Sequence, residues 1–381
     1  MEHAEIGRAR ANALLTNGVI TAGFVALMLC AGLWPFTFAP SNNAVFDKKG
    51  GISFSRPAAI FDADTLNPAE KAVLAESTVT IAIRVSPSGE SPWFISQIVT
   101  FTDGNRLCAI VGQWKSHLVL KTFPDRTRAG REPSAEVAVR NILNAGTTRD
   151  IVIVTGRAGT KIFVDNHHAL DDQDFRLFPG RAGGPLRLSL GGSLSGKYTW
   201  NGTLFCFSLI AGDASERLTN SANAAPCAAC EGERKQGAIM GFSFEEPGSL
   251  VRNCAGVRHS LVIRDRFPVI GGNVLVPFWD DFTNDASYYS DIAVNILGFI
   301  PFGFFLARFL SQMSVVGRRR AIAAVVAAGF ALSLGIELSQ VFLPGRSSQL
   351  SDLVCNTLGS FAGAFLSFRL PLFRSRQPAR R

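Results

Sequence analysis

Four apolar stretches, residues 14–34, 292–309, 321–342 and 353–370, constrain this chain more than any other feature. A helix that spans a bilayer needs about 20 mostly apolar residues, with a working range of about 17–25, and all four fit. Residues 42–269 have the mixed composition of a water-exposed fold, so the overall hydrophobic content of 47% averages two unlike regions. The sequence therefore predicts an α+β multidomain membrane protein with an antiparallel β-sandwich ectodomain and a small transmembrane helical bundle, four spans in all.

The net charge of +8 raises the question of nucleic acid, and the positions of the arginines answer it. Arg8 and Arg10 precede the first stretch. Arg308, Arg318, Arg319 and Arg320 lie between the second and third, and Arg369, Arg374, Arg376, Arg380 and Arg381 follow the fourth. The third-to-fourth connection carries only Arg346. Under the positive-inside rule both termini are cytoplasmic and the large middle region is external, in a multi-pass protein of the cell (inner) membrane. The basic excess is then a topology signal, with membrane lipids rather than nucleic acid as partners. The first stretch is longer than a signal-peptide core and lacks a small-x-small cleavage site, so it reads as a retained anchor ending at Trp34-Pro-Phe36. The expected organisation is a cytoplasmic tail (1–13), an anchor helix (14–34), the sandwich (41–213), a linker (214–272), a membrane domain (273–370) and a basic tail (371–381).

One pattern occurs twice, Asp-x-x-x-Asn-x-Leu-Gly, at Asp291, Asn295, Leu297 and Gly298, and again at Asp352, Asn356, Leu358 and Gly359. A spacing of four stacks the acid and the amide on one helix face. Polar groups at the head of two membrane segments are costly and call for a reason. Both segments run inward, so Asp291 and Asp352 start at the outer surface with Asn295 and Asn356 about 6 Å deeper, at 1.5 Å rise per residue. The third span runs outward and carries Glu337 and Gln340 to a similar level, with Arg346 in the short loop beyond. These seven residues are the candidate ligand-binding set. Gly298, Gly303, Gly335, Gly359 and Gly363 would let the helices approach closely. The bland alternative is that the acids favour helix starts, the amides glue helices together and Glu337 pairs with Arg346.

Of seven cysteines, Cys30 and Cys355 sit in membrane segments, while Cys108, Cys206, Cys227, Cys230 and Cys254 lie in the external region, where disulfides persist. A structural disulfide involving Cys227, Cys230 or Cys254 is expected. The alternative is zinc at Cys227, Cys230, Cys254 and His259, a C-x2-C-x23-C-x4-H spacing. The motif alone is weak, so no metal and no cofactor is assigned.

Short β-rich runs at 78–85, 94–101, 108–111, 117–122, 151–155, 161–164, 186–190 and 203–210 are separated by Gly, Pro, Asn and Asp, the signature of a sandwich. Asp165-Asn166 suits a tight hairpin. The order Val79-to-Val85, Lys161-Ile-Phe-Val-Asp-Asn166, then Trp200-Asn-Gly202 leading into 203–210, resembles the laminin-G and concanavalin A-like jelly roll. That resemblance implies a two-sheet sandwich, with surface carbohydrate as a partner and, in some members, calcium. Asp171, Asp172 and Asp174 are the nearest acidic loop, which reads better as solvated. Trp93, Trp114, Tyr198 and Trp200 could stack on sugar or fill the core.

The C-terminal region resembles the VanZ family. The resemblance rests on Asn273-Val-Leu-Val-Pro-Phe278, Asp291-Ile-Ala-Val-Asn-Ile-Leu-Gly-Phe-Ile-Pro-Phe-Gly303, Ser333-Leu-Gly-Ile-Glu-Leu-Ser-Gln340, Pro344-Gly-Arg346 and Asp352-Leu-Val-Cys-Asn-Thr-Leu-Gly359. It implies a bacterial envelope protein of a family related to glycopeptide resistance, whose molecular activity is poorly defined. The expected function is binding of an amphiphilic or lipid-linked envelope ligand, such as a lipid-linked glycan, at the outer polar cluster. A second class is an enzyme with Glu337 or Asp352 as general base. No serine-histidine pair, metal cluster or phosphate loop accompanies those acids, so no catalytic residue is assigned. A third is a small transporter subunit, which four short spans would support only in an oligomer.

Overall fold

The computed structural model describes residues 2–48, 50–104, 106–123, 134–180, 184–194, 196, 198–219, 237–256, 258–267, 273–281, 286–313, 317–343 and 346–370. The chain forms two compact units, Ala39–Pro268 and Met1–Phe38 with Val269–Arg381.

The second of these is helical. Helix α1 (Glu2–Leu33) packs against α5 (Ala286–Gln312) and α6 (Arg318–Gln340), and α7 (Leu350–Arg369) packs against α5 and α6. A short turn, α4 (Phe278–Asp281), precedes α5. Among the described residues three helical segments are long and apolar enough to cross a membrane: Ala11–Leu33, Tyr288–Gln312 and Arg318–Gln340. That is one fewer than the four expected from the sequence. The segment that falls short is α7, because Asp352, Asn356, Thr357, Ser360 and Arg369 dilute its 20 residues. The ends also shift. Helix α1 runs through the stretch expected as a cytoplasmic tail, and the helices over the spans expected at 292–309, 321–342 and 353–370 begin earlier, at Ala286, Arg318 and Leu350.

Helices α5 and α7 approach backbone to backbone. A Cβ on Gly359 or Gly363 would fall on the carbonyl oxygens of Ile296 and Ile300, and one on Gly303 would fall on that of Ser360. Small residues four apart permit this approach in a bilayer, where close packing replaces the hydrophobic effect between helices. Gly298 and Gly335 do not serve this purpose, since a Cβ on either meets nothing within 4 Å. Gly32 against Ile336 and Gly329 against Ser360 are close approaches the sequence reading omits. Around these contacts Met28, Phe299, Phe302 and Ile336 tie α1 to α5 and α6, while Ala307, Val325 and Ala364 fill the seam of α5, α6 and α7.

The other unit, Ala39–Pro268, is a sandwich of two antiparallel sheets. In chain order its elements are β1 (Val45–Phe46), β2 (Ile52–Phe54), β3 (Ile60–Asp62), α2 (Pro68–Glu76), β4 (Val79–Pro87), β5 (Ser91–Asp103), β6 (Arg106–Lys115) and β7 (His117–Thr122). There follow β8 (Ala135–Val139), β9 (Arg149–Gly156), β10 (Gly159–Val164), β11 (His167–Asp172), β12 (Leu186–Leu190), β13 (Gly202–Ala211), α3 (Ser215–Thr219), β14 (Ala238–Ser243), β15 (Leu250–Arg252) and β16 (Ser260–Val262). One sheet has the order β1-β2-β13-β4-β9-β10-β11 with β14 also on β13; the other runs β15-β16-β3-β12-β5-β6-β7-β8.

Alternation builds the core. Val79, Ile81, Ile83 and Val85 of β4 enter it with Phe207 and Leu209 of β13 and, from the facing sheet, Phe101, Leu118 and Leu188. Ala82, Val152, Val154 and Ile210 point the other way, under Leu218 of α3. Trp200 is fully buried, and its indole N–H donates to Gln113 Oε1 at 2.6 Å. That removes Trp200 from the sugar-stacking candidates. Asp165 and Asn166 adopt φ of 49° and 66° in the two-residue β10–β11 turn, where such residues tolerate positive φ. Of the acidic loop, Asp172 Oδ1 accepts the backbone N–H groups of Asp174 and Phe175, which closes a turn.

The stretch expected as a linker, 214–272, contains α3, β14, β15 and β16. Two of those strands are three residues long, too short for alternation to announce them. Cys206 and Cys254 are each disulfide-bonded, which takes Cys254 out of any zinc set. Cys206 was not among the disulfide candidates, and Cys227 and Cys230 lie outside the described residues.

Candidate functional site

In the helical unit a cavity of about 410 Å³ is lined by the C-terminal end of α1, the N-terminal half of α5, the first turns of α7, the last turns of α6 and the loop before α7. All seven residues of the candidate set, Asp291, Asn295, Glu337, Gln340, Arg346, Asp352 and Asn356, line it. Their sequence spacing puts them on inward faces, and the short turn after α6 brings Arg346 back to the same end.

The residues are held very differently. Glu337 is 2% exposed, and its Oε2 accepts the Gln349 backbone N–H at 2.7 Å. Gln349 is the residue that starts α7, so this carboxylate on α6 caps the positive end of its neighbour. In the same loop Ser348 Oγ accepts the Leu275 N–H at 3.0 Å. Val276 N–H donates to Ser348 O at 2.8 Å and Leu350 N–H to Val276 O at 3.0 Å. The 273–278 motif therefore staples the loop that carries Arg346 and starts α7.

Gln340 donates its amide to Gly32 O at 2.8 Å, joining α6 to α1. Arg346 makes no ion pair with Glu337. Its Nη2 donates to Ala31 O at 3.1 Å and to Trp34 O at 3.3 Å, and its Nε to Trp34 O at 3.4 Å. The guanidinium thus sits on the carbonyl end of α1, where helix partial charge favours a cation. Asn356 is 5% exposed; its Nδ2 donates to Ser333 Oγ at 3.0 Å while its Oδ1 has no partner. Asp291 is exposed, Asn295 half-buried, and the side chains of both are without a hydrogen bond or ion pair among the described residues.

The two repeats are therefore not equivalent. Asn356 is locked between α6 and α7, whereas Asp291 and Asn295 are open to the cavity. Sequence reading missed Ser333, Ser348, Ser360 and the α1 carbonyls. Ser333 stands four residues before Glu337 and Ser360 four after Asn356, a helical-face signal that was available.

A second polar cluster lies in the sandwich. His259, 2% exposed, has Nδ1 2.7 Å from Asp62 Oδ2, and its Nε2 lies 3.2 Å from Glu70 Oε2 without hydrogen-bond geometry. Its backbone N–H donates to Asp64 Oδ2 at 3.1 Å. Burial alone would lower the imidazole pKa, but the hydrogen bond and charge of Asp62, then Glu70, outweigh it and raise the value above the ordinary 6.5. Donor atoms of Asp62, Asp64 and His259 lie within 4.8 Å of one another, close enough to suit a metal ion. Yet Asp62 Oδ1 accepts the Asp64 N–H and Oδ2 engages His259, so the arrangement reads as a clasp joining β3, α2 and the loop before β16. A separate sandwich cavity of about 200 Å³ is lined by Arg56, Glu90, Phe94 and Asn201.

Residues 250–373 match the VanZ/LLP1 family model. No curated protein matches the chain by sequence. Among solved structures, a candidate carbohydrate-binding protein of Bacteroides ovatus aligns over 58% of this chain and 58% of its own length, at 13% identity and a TM-score of 0.39. The CBM40 of a Ruminococcus gnavus IT-sialidase, bound to sialyllactose, aligns over 41% of this chain and 85% of its own, at 16% identity and a TM-score of 0.32. A SAP-like pentraxin of Limulus polyphemus aligns over 58% and 94%, at 10% identity and a TM-score of 0.33. Such scores carry no argument about ligands. The chain has a VanZ-like membrane region and a β-sandwich, and its apolar helices make it a membrane protein.

Proposed function

We propose that this protein holds the polar end of an amphiphilic envelope molecule in the cavity of its helical unit. The observation that carries this reading is the convergence of seven polar side chains on one cavity in a membrane-embedded unit. Polar groups at such depth are retained where they bind something or one another, and Asp291, Asn295 and Asn356 Oδ1 are without protein partners among the described residues.

On this reading α7 crosses the bilayer as a fourth span. At 1.5 Å per residue its 20 residues reach about 30 Å, the thickness of the hydrocarbon core. Val354, Leu358, Phe361 and Phe365 form an exposed apolar stripe suited to lipid. On the same reading, which the arginine distribution supports, both termini are cytoplasmic and the sandwich and the cavity are on the external side of the cell membrane. The sandwich would contact surface glycan or a partner protein, and the recess at Arg56, Glu90 and Phe94 is where a sugar would meet both charge and a ring. Glu337 is committed to the start of α7, which favours binding over base catalysis.

Native mass spectrometry of gently extracted protein tests the reading. A co-purifying amphiphile should be retained by wild type and lost, with the fold intact, from Asp291→Ala and Asn295→Leu. Equal retention by all three would refute it.

A further inference from the structure

The cavity is acidic and rich in acceptors, and this selects the chemistry of its occupant. Asp291, Glu337 and Asp352 line it against one cation, Arg346. That cation is already satisfied in part by the Ala31 and Trp34 carbonyls through Nε and Nη2. Asn356 supplies a buried amide oxygen with no partner, an acceptor waiting for a donor. The aromatic lining residue, Phe299, is 6% exposed and packed into the wall with Met28, Phe302 and Ile336, so no aromatic cage for a quaternary ammonium exists among the described lining residues.

We infer that the cavity binds the primary ammonium of a zwitterionic lipid headgroup whose phosphate meets Arg346. The inference rests on the reading of the cavity as a ligand site and names the ligand class. A primary ammonium brings three N–H donors, which match carboxylates and an amide oxygen; a trimethylated one brings none. Its positive charge offsets the carboxylate excess, whereas a phosphate entering the same depth would be repelled. Arg346 is exposed, and its Nη1 is outside the carbonyl contacts, so a phosphate one headgroup length away has a donor. A neutral sugar or an anionic glycerol headgroup brings no cation to Asp291.

The test uses the full chain in mild detergent, with native mass spectrometry of adducts from equimolar diacyl phosphatidylethanolamine, phosphatidylcholine and phosphatidylglycerol. Phosphatidylethanolamine should be retained at least about tenfold over the other two. Asp291→Asn, a change at an exposed side chain, should cut that preference to about threefold or less. Water-soluble phosphoethanolamine in excess should displace the lipid, which separates headgroup recognition from acyl-chain adhesion. Equal or stronger retention of phosphatidylglycerol would overturn the headgroup assignment while leaving the cavity a lipid site. A preference stripped by a chelator would overturn it in favour of a divalent cation, and an ethanolamine preference unchanged by Asp291→Asn would place the lipid elsewhere. No phospholipid retained by any variant would sink this inference and the binding reading together.

Discussion

Replacing His259 by Gln probes the clasp inside the sandwich. The Asp62 side chain is fully buried and its carboxylate faces His259 Nδ1 at 2.7 Å. Glutamine can keep one hydrogen bond but no charge, so Asp62 is left as an uncompensated anion. Removing one partner of a buried pair costs about 3–5 kcal/mol, because the remaining charge stays desolvated. At 1.4 kcal/mol per decade, even the lower figure raises local opening about a hundredfold. The strands that should report it are β3 and β16, which pair at Asp62–Leu261 and Phe61–Val262. Hydrogen exchange of the full chain in detergent would read these amides, with β9 and β10 as internal controls. The pH dependence has a definite sign. His259 is raised above 6.5 in the folded protein, so its stabilisation is complete below 6.5 and is lost as pH rises through the folded value. Protection of β3 and β16, corrected for intrinsic exchange, should therefore fall as pH rises above 6.5 in wild type and stay flat in the variant. A change under about threefold in the variant, or protection in wild type that rises with pH, would refute the assignment of a charged clasp.

Gly363→Leu should destabilise the helical unit by about 1–3 kcal/mol or break the α5–α7 contact outright, since its side chain must displace the Ile300 backbone. Gly298→Ala meets nothing within 4 Å and should leave thermal unfolding in detergent unchanged. Gln113→Ala should lower sandwich stability by about 1–3 kcal/mol, seen as a drop in its unfolding midpoint, because the Trp200 N–H and the carbonyls of Gly89, Lys115 and Leu143 lose their partner. A reporter fused after Arg381 should be cytoplasmic while protease added to intact cells or spheroplasts reaches the sandwich; a reporter found outside would overturn the four-span topology.

The parts of the fold legible in sequence are those whose pattern outlasts a few residues. β4 alternates over nine residues and β13 is an apolar, β-rich run of ten, and both were readable. β3, β15 and β16 have three residues each, and their strand character comes from neighbours brought in across long stretches of chain. This is also why 238–262 read as a linker: its pairing partners at β3 and β13 lie far upstream. The same limit governs α7. A helix judged alone is weighed by its own apolar content, whereas Asp352, Asn356 and Ser360 are polar because of what stands beside them.

The candidate set shows that limit most sharply. Spacing places a residue on a helix face and along the axis, so seven side chains could be expected at one end of a bundle. Spacing says nothing about which backbone groups stand opposite. Glu337 and Arg346 look like a salt bridge from sequence because they are opposite charges nine residues apart across a turn. In the structure each meets a helix end instead: the carboxylate takes the start of α7, and the guanidinium takes the end of α1. The two pairings are worth having for the same reason, since each satisfies backbone groups that a bilayer would leave unsatisfied. Once those two charges are spent on helix ends, the cavity-lining groups without a protein partner among the described residues are the exposed acid Asp291, the Asn295 amide and the Asn356 carbonyl oxygen. The member of the repeat that looks most ordinary in sequence, an aspartate at a helix start, is thus the one with the most freedom to meet a ligand.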